Sequence, residues 1–70
     1  MYPVYLVYAS NVPSPRLPDV VGNDSRNVVD QIRRVWKPHA IIEIWDMPGP
    51  GKHRMIARGP VRDVLKIIGG

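Results

Sequence analysis

The sequence predicts a small single-domain α+β fold, in which two helices pack against a single-layer antiparallel sheet of three strands, or four if a short segment also pairs. Three observations lead to this expectation. Residues 24–37 show the apolar spacing of an amphipathic helix, and residues 40–46 follow at once as a segment rich in β-formers. Residues 47–52 then contain two Pro-Gly pairs, which predict a hairpin turn. The predicted order over residues 1–70 is β-(β)-α-β-β-α.

The first strand is predicted over residues 2–9, where β-favouring residues occupy both faces, a pattern typical of a central strand. Residues 10–18 contain Pro13, Pro15 and Pro18, which donate no backbone hydrogen bond, and they predict an extended loop. Residues 19–22 form the short segment that could add an edge strand.

The first helix has marked ends. Asn23, Asp24 and Ser25 can accept hydrogen bonds from the unpaired N–H groups of its first turn, and Pro38 ends it near Trp36. Its predicted apolar stripe consists of Val28, Val29, Ile32, Val35 and Trp36.

The hairpin register is predicted from the turn, with Asp46 opposite His53 and Ile44 opposite Met55. This register places Ile42, Ile44, Met55 and Ala57 on an apolar face that receives the helix. The second face would carry Ile41, Glu43, Trp45, Arg54, Ile56 and Arg58.

A second helix is predicted after Gly59, with Pro60 in the first helical position, where its missing N–H group costs nothing. Gly69 and Gly70 end it. Its predicted apolar stripe consists of Val61, Val64, Leu65 and Ile68.

Composition favours an anionic partner, either nucleic acid or an acidic protein surface. Ten Lys and Arg against six Asp and Glu give a net charge of +4, and the pI is near 10.0. The start lacks the pattern of a secretory signal, and no apolar run approaches the about 20 residues that span a bilayer. We therefore expect a cytoplasmic protein without membrane contact. Because 70 residues without cysteine build only a small core, homo-oligomerisation is a further expectation.

Three groups of residues are candidates for partner binding. Aromatic stacking combined with cationic neutralisation of phosphates is how single-stranded nucleic acid is held on protein surfaces. The candidates are Trp45, Arg54 and Arg58 on the sheet, Lys52 and His53 at the hairpin tip, and Arg33, Arg34 and Lys37 on the first helix.

Each group also has a purely structural interpretation. Arg54 could stack on Trp45, while Glu43 pairs with Arg54 or Arg58. The helical cations could complement the helix dipole and pair with Asp30. The tip could be a plain hairpin.

The order and spacing of the elements resemble a ferredoxin-like fold that lacks its last strand, the arrangement also found in RNA-recognition domains. Such domains carry aromatic residues on the third strand, and the corresponding segment here, HRMIARG, has none. No binding residue is therefore transferred from that family. A missing last strand would leave a sheet edge with which a partner chain could pair.

No residue set predicts catalysis, a cofactor or a metal ion. Asp46 and His53 could form an acid–base pair, but no nucleophile accompanies them, and a structural hydrogen bond is the simpler interpretation. We expect a small basic non-enzymatic module that binds nucleic acid or a nucleic-acid-handling protein, with the size of a phage-type accessory or regulatory protein. The alternative is a protein–protein interaction or homodimerisation domain without nucleic-acid contact.

Overall fold

The computed structural model describes residues 4–10 and 17–69 and confirms the predicted α+β class. Two helices accompany a four-stranded antiparallel sheet, so the short segment before the first helix does form a strand. The elements are β1 (Val4–Ala9), β2 (Val20–Gly22), α1 (Ser25–Val35), β3 (Ile41–Met47), β4 (Arg54–Pro60) and α2 (Val61–Ile68).

The sheet order is β2-β1-β3-β4, which makes β1 a central strand, as its two-sided β-favouring pattern predicts. The predicted strand residues 2 and 3 and most of the predicted loop, residues 11–16, lie outside the described residues.

The connectivity differs from the ferredoxin-like arrangement, in which the first strand leads into the first helix. Here β2 leads into α1, and β3 returns to pair directly with β1. Helix α1 therefore connects β2 and β3, the two strands that flank β1 in the sheet.

Helix α1 begins and ends close to the predicted positions. The Asp24 side chain caps its start by accepting a 2.9 Å hydrogen bond from the Arg26 N–H group, and Trp36 is the C-cap residue. Val28, Val29 and Ile32 are buried as predicted, but Val35 is 55% exposed, so its place in the stripe was wrong. Helix α2 packs on the Trp36 side of α1, and Val35 lies about 100° round the helix from that position.

The core lies between the helices and one face of the sheet. Val7 and Val20 contribute from β1 and β2, and Ile42 and Ile44 from β3, all with almost no exposed surface. Burying each of these aliphatic side chains stabilises the fold by about 1.5–3 kcal/mol. From the helices, the core receives Val28, Val29, Ile32, Val61, Val64 and Leu65.

The β3–β4 register is where the sequence-based prediction was wrong. Asp46 lies opposite Arg54 and not His53, and a β-bulge between Ile44 and Trp45 shifts the remaining pairs by a further residue. Ile44 therefore faces Ala57, where Met55 had been predicted. A bulge places two residues of one strand against one of its partner, so strict alternation fails there.

This register redistributes three side chains of β4. Arg54 shares the helix-covered face with Asp46, and Ile56 packs against the core. Met55 pairs with Trp45 on the opposite face and is 51% exposed. The predicted apolar face therefore loses Met55, and the predicted second face loses Arg54 and Ile56.

The start of α2 is tied to the segment that follows α1. Pro60 ends β4 and is the N-cap residue of α2. The helix therefore begins at Val61, one residue later than predicted. The Val61 N–H group donates to the Ala40 carbonyl at 2.9 Å, and the Arg62 N–H group donates to the Pro38 carbonyl at 3.1 Å. These bonds satisfy two otherwise unpaired N–H groups. They also hold the first turn of α2 beside the last turn of α1.

Helix α2 ends as the glycine pair predicts. Gly69 is the C-cap residue in the left-handed region, with φ of 115°, and its N–H group donates to the Leu65 carbonyl. Residues with a Cβ atom rarely adopt this conformation, which explains glycine at the position. Val61, Val64 and Leu65 are buried and Ile68 is half-buried, so the predicted stripe is confirmed.

Candidate binding groove

A groove with a volume of about 480 Å³ lies between the end of α1 and the first two turns of α2. Its floor is apolar and is formed by Trp36, Pro38, Val61 and Leu65. The backbone hydrogen bonds between residues 38–40 and the start of α2 fix the separation of its two walls. We call this feature the interhelical groove.

Three cationic side chains line the rim of the interhelical groove. Arg33 extends from α1, while Arg62 and Lys66 extend from α2, four residues apart and hence on one side of that helix. Among the described residues, no carboxylate lines the groove. The groove therefore combines an apolar floor with a positively charged rim.

Neighbouring carboxylates neutralise little of this charge. Within the described part of the chain, the rim has one ion pair, Arg62 Nε to Asp63 Oδ1 at 4.0 Å. Both side chains are largely exposed, and such surface pairs contribute only about 0–1 kcal/mol. The cations of the rim are therefore available to an anionic ligand.

The predicted cations of α1 lie close to this groove. Arg33 and Arg34 occupy the last turn of α1, where they complement the helix dipole, and Lys37 follows that turn. In residues 4–10 and 17–69, no ion pair joins Asp30 to Arg33 or Arg34, so the predicted neutralisation of these cations was wrong. Only Arg33 lines the groove itself.

Trp45 and Arg58 lie on the sheet face that the helices do not cover. The Trp45 indole Nε1–H group donates to Glu43 Oε1 at 3.1 Å. Arg58 lies opposite Glu43 on β4, with its Nε atom 3.8 Å from Glu43 Oε2. The predicted pairing of Glu43 with Arg58 is confirmed, and these two candidates are part of a structural cluster.

Arg54 lies apart from Trp45 and Arg58. It makes a two-pronged contact with Asp46, from Nε to Oδ1 at 2.8 Å and from Nη2 to Oδ2 at 3.2 Å. The hydrogen bond that Arg54 donates to the Asp46 carboxylate, and then the charge of that carboxylate, raise the pKa of Arg54 above its ordinary value. Asp46 is buried on the helix-covered face, so both the predicted Arg54–Trp45 stacking and the predicted Asp46–His53 pair were wrong.

Lys52 and His53 are exposed at the tip of the β3–β4 hairpin. Gly51 in that turn has a φ of 73°, a conformation that favours glycine. The interhelical groove adjoins the other end of the hairpin, and seven strand residues separate the two ends by about 20 Å. The eight predicted contact residues thus fall into separate regions, and a single small ligand cannot contact all of them.

Arg62 and Lys66 are the site residues that the sequence did not reveal. Their spacing identifies them only as the solvent-facing side of a second helix. Their proximity to Arg33 depends on how α2 docks beside α1, which the local pattern does not encode. Pro38 gave a partial signal, because it ends α1 just before the segment that binds the start of α2.

The face of the sheet opposite the two helices is largely apolar. We call it the open sheet face, and Leu6, Trp45 and Met55 form a row across three of its strands. Strand alternation and the pairing register assign eleven of the described residues to it, namely Val4, Leu6, Tyr8, Val21, Ile41, Glu43, Trp45, Met47, Met55, Arg58 and Pro60.

Comparison with protein-family models, with curated proteins and with solved structures gave no match for this chain. Among the described residues, no helix has the length and apolar character needed to cross a bilayer. Within the same residues, no three His, Asp or Glu side chains form a group that could hold a metal ion. The chemistry of the surfaces is therefore the basis for a functional assignment.

Proposed function

We propose that this protein is a non-enzymatic module that binds single-stranded nucleic acid in the interhelical groove. The observation that carries the proposal is the convergence of Arg33, Arg62 and Lys66 above an apolar floor that contains Trp36. Cationic side chains bind phosphates, and aromatic surfaces receive bases. The proposal keeps the nucleic-acid partner expected from the sequence, and of the eight predicted contact residues it keeps Arg33 in the site.

The apolar floor favours a single strand over a duplex. In a duplex the bases are stacked and paired, and a shallow protein groove meets mainly phosphates. In a single strand an unstacked base can lie on Trp36, while the flanking phosphates reach the rim. Stacking of a base on an aromatic side chain contributes about 1–3 kcal/mol.

The direct test measures the fluorescence anisotropy of labelled single-stranded DNA and RNA and of a duplex, each over a salt series. Three phosphate contacts predict a slope of log affinity against log salt of about −2 for single strands. A variant with Arg33→Ala and Arg62→Ala should bind at least about tenfold more weakly and should have a shallower slope. A charge-matched control with Arg26→Ala and Lys52→Ala removes two exposed cations outside the groove lining and should lose less.

Three outcomes would contradict the proposal. One is that no oligonucleotide binds at low salt. Another is that the duplex binds more tightly than the single strand, which would leave the apolar floor without a role. The last is an equal loss of affinity in the groove variant and in its charge-matched control.

A second candidate function is a protein–protein interaction domain, and the open sheet face is the observation that favours it. Apolar side chains on that face have no helical layer above them. Binding through such a surface would respond weakly to salt, whereas nucleic-acid binding weakens steeply as salt rises. The same salt series therefore separates the two candidates.

A further inference from the structure

We infer that a bound single strand continues from the interhelical groove, past Trp36, into a second pocket at the end of the sheet, where Arg58 contacts a further phosphate. The inference rests on the proposed function, because it extends the same binding site by one subsite. It is carried by the position of Trp36 in both pockets, by the fixed walls of the second pocket and by the exposure of Arg58.

The second pocket has a volume of about 550 Å³ and lies where β1 ends and β3 begins. We call it the sheet-end pocket, and it is lined by Ala9, Ser10, Trp36, Ala40, Ile41 and Arg58. Its volume and that of the interhelical groove both fall within the about 300–1,000 Å³ of pockets that bind small molecules. Each pocket can therefore receive a ligand of the size of one nucleotide.

Trp36 joins the two pockets, because it lines both of them. It is the C-cap residue of α1, where the chain leaves the helix and turns towards β3. Its side chain is half-buried and packs against the core, so the indole is held in place while part of its surface stays accessible. A strand with a base on Trp36 in the interhelical groove therefore has its next nucleotide within reach of the sheet-end pocket.

Backbone hydrogen bonds fix the walls of the sheet-end pocket. The Ser10 N–H group donates to the Ile41 carbonyl at 3.3 Å, which ties the end of β1 to the start of β3. The Ala40 carbonyl accepts from the Val61 N–H group, the same bond that fixes the walls of the interhelical groove. Residues 36–41 thus form a common boundary of the two pockets, and little ordering entropy is lost when a strand binds across it.

Arg58 and Ser10 supply the polar side chains of the sheet-end pocket, and no acidic side chain lines it among the described residues. The Arg58 side chain is 59% exposed, and its Nε atom lies 3.8 Å from Glu43 Oε2, which is longer than a hydrogen bond. A guanidinium group has five N–H donors, so its ion pair with one carboxylate leaves donors for a phosphate.

The charges along this path favour a polyanion over an apolar ligand. The rim of the interhelical groove carries three cations, and Arg58 adds a fourth beyond the apolar surface of Trp36 and Ile41. Cations that alternate with apolar surface match the phosphates and bases of a single strand. The additional phosphate contact steepens the slope of log affinity against log salt by about 0.7.

Fluorescence anisotropy with a labelled single strand of about eight nucleotides tests the inference on the full chain. Arg58→Ala should weaken binding about fivefold and should make the salt slope shallower by about 0.7. Lys52→Ala is the matched control, since it also removes one exposed cation but lies at the hairpin tip. It should weaken binding by less than about twofold and leave the slope unchanged.

A second position tests the pocket without removing the partner of Glu43. Ile41 is 47% exposed, so Ile41→Glu places a carboxylate in the lining of the sheet-end pocket without burying it. This variant should also bind about fivefold more weakly. Its matched control is Val21→Glu, because Val21 is 50% exposed on β2 and lines neither pocket. Circular dichroism establishes that each variant is folded.

The outcomes separate the inference from the proposed function. If the variant with Arg33→Ala and Arg62→Ala loses affinity while both sheet-end variants match their controls, the inference is overturned and the proposed function stands. If the sheet-end variants lose affinity and the groove variant does not, both are overturned, because the strand then does not enter through the groove. A wild type that binds no single strand at low salt also overturns both.

Discussion

Replacing Gly22 by alanine tests how closely α1 approaches the sheet. A Cβ atom on Gly22 would lie 2.9 Å from Cγ2 of Val28, whereas carbon atoms are most favourably placed about 3.5–4.0 Å apart. Val28 is completely buried, and its β-branched side chain has few alternative rotamers. The clash can therefore be relieved only by moving α1 relative to β2.

The expected destabilisation follows from two opposing effects. Overpacking of a core costs about 1–3 kcal/mol. Replacing glycine by alanine lowers the conformational entropy of the unfolded chain, which stabilises the folded state by about 0.4–1 kcal/mol. The net loss of about 1–2 kcal/mol compares with a total stability of about 4–10 kcal/mol for a domain of this size. It corresponds to a fall in Tm of about 5–15 °C.

Urea denaturation of four proteins measures this effect, namely the wild type, Gly22→Ala, Val28→Ala and the double variant. The double variant should be more stable than the sum of the single losses predicts, by on the order of 1 kcal/mol, because the shorter side chain removes the clash. Gly49→Ala is the control, since no atom lies within 4 Å of a Cβ atom at that position. The reasoning is refuted if Gly22→Ala is as stable as Gly49→Ala, or if the two losses simply add.

Three further substitutions test the fold. Ile32→Ala should lower the free energy of unfolding by about 2–5 kcal/mol in urea denaturation, because Ile32 is fully buried between α1 and the sheet. Asp24→Ala should cost about 0.5–2 kcal/mol through loss of the helix cap, whereas Asp30→Ala, on the exposed side of α1, should change thermal stability little. Arg54→Ala should lower the urea midpoint because it leaves the buried Asp46 carboxylate without its two hydrogen bonds, and Lys52→Ala should not.

The sequence was sufficient to predict the type and approximate limits of the helices and strands. Residues 25–35 have the apolar spacing of a helix, a capping aspartate before it and a proline after it, and all three signals agree with the structure. The sequence did not decide whether β2 forms a strand, because three residues show little periodicity. Its pairing with β1 is fixed by the partner strand rather than by its own pattern.

The hairpin register was not predictable in the same way. The Pro-Gly turn indicated where the chain reverses, but the bulge opposite Ile44 and Trp45 changes which residues face each other. A second change lies at the turn, where seven residues instead of the predicted six separate the paired ends, so that Arg54 binds Asp46 on the helix-covered face and does not lie opposite Trp45. A shift of one residue at the turn thus transferred a candidate contact residue from one surface to another.

The candidate groove was even less accessible from the sequence. Arg33 was identified as a cation of α1, but Arg62 and Lys66 belong to a helix that lies beside it only in the folded chain. Two backbone hydrogen bonds, from Val61 to Ala40 and from Arg62 to Pro38, determine that arrangement. Tertiary contacts of this kind leave no local pattern in the sequence.

The central claim is that a base of single-stranded nucleic acid lies on Trp36 in the interhelical groove. The chain contains two tryptophans, so Trp45→Phe leaves Trp36 as the sole indole fluorophore. Titration of this variant with an unlabelled single-stranded oligonucleotide at low salt should quench Trp36 in a saturable manner, and adding Arg33→Ala and Arg62→Ala should suppress the quenching. Saturable binding by anisotropy with unchanged Trp36 fluorescence would contradict the claim.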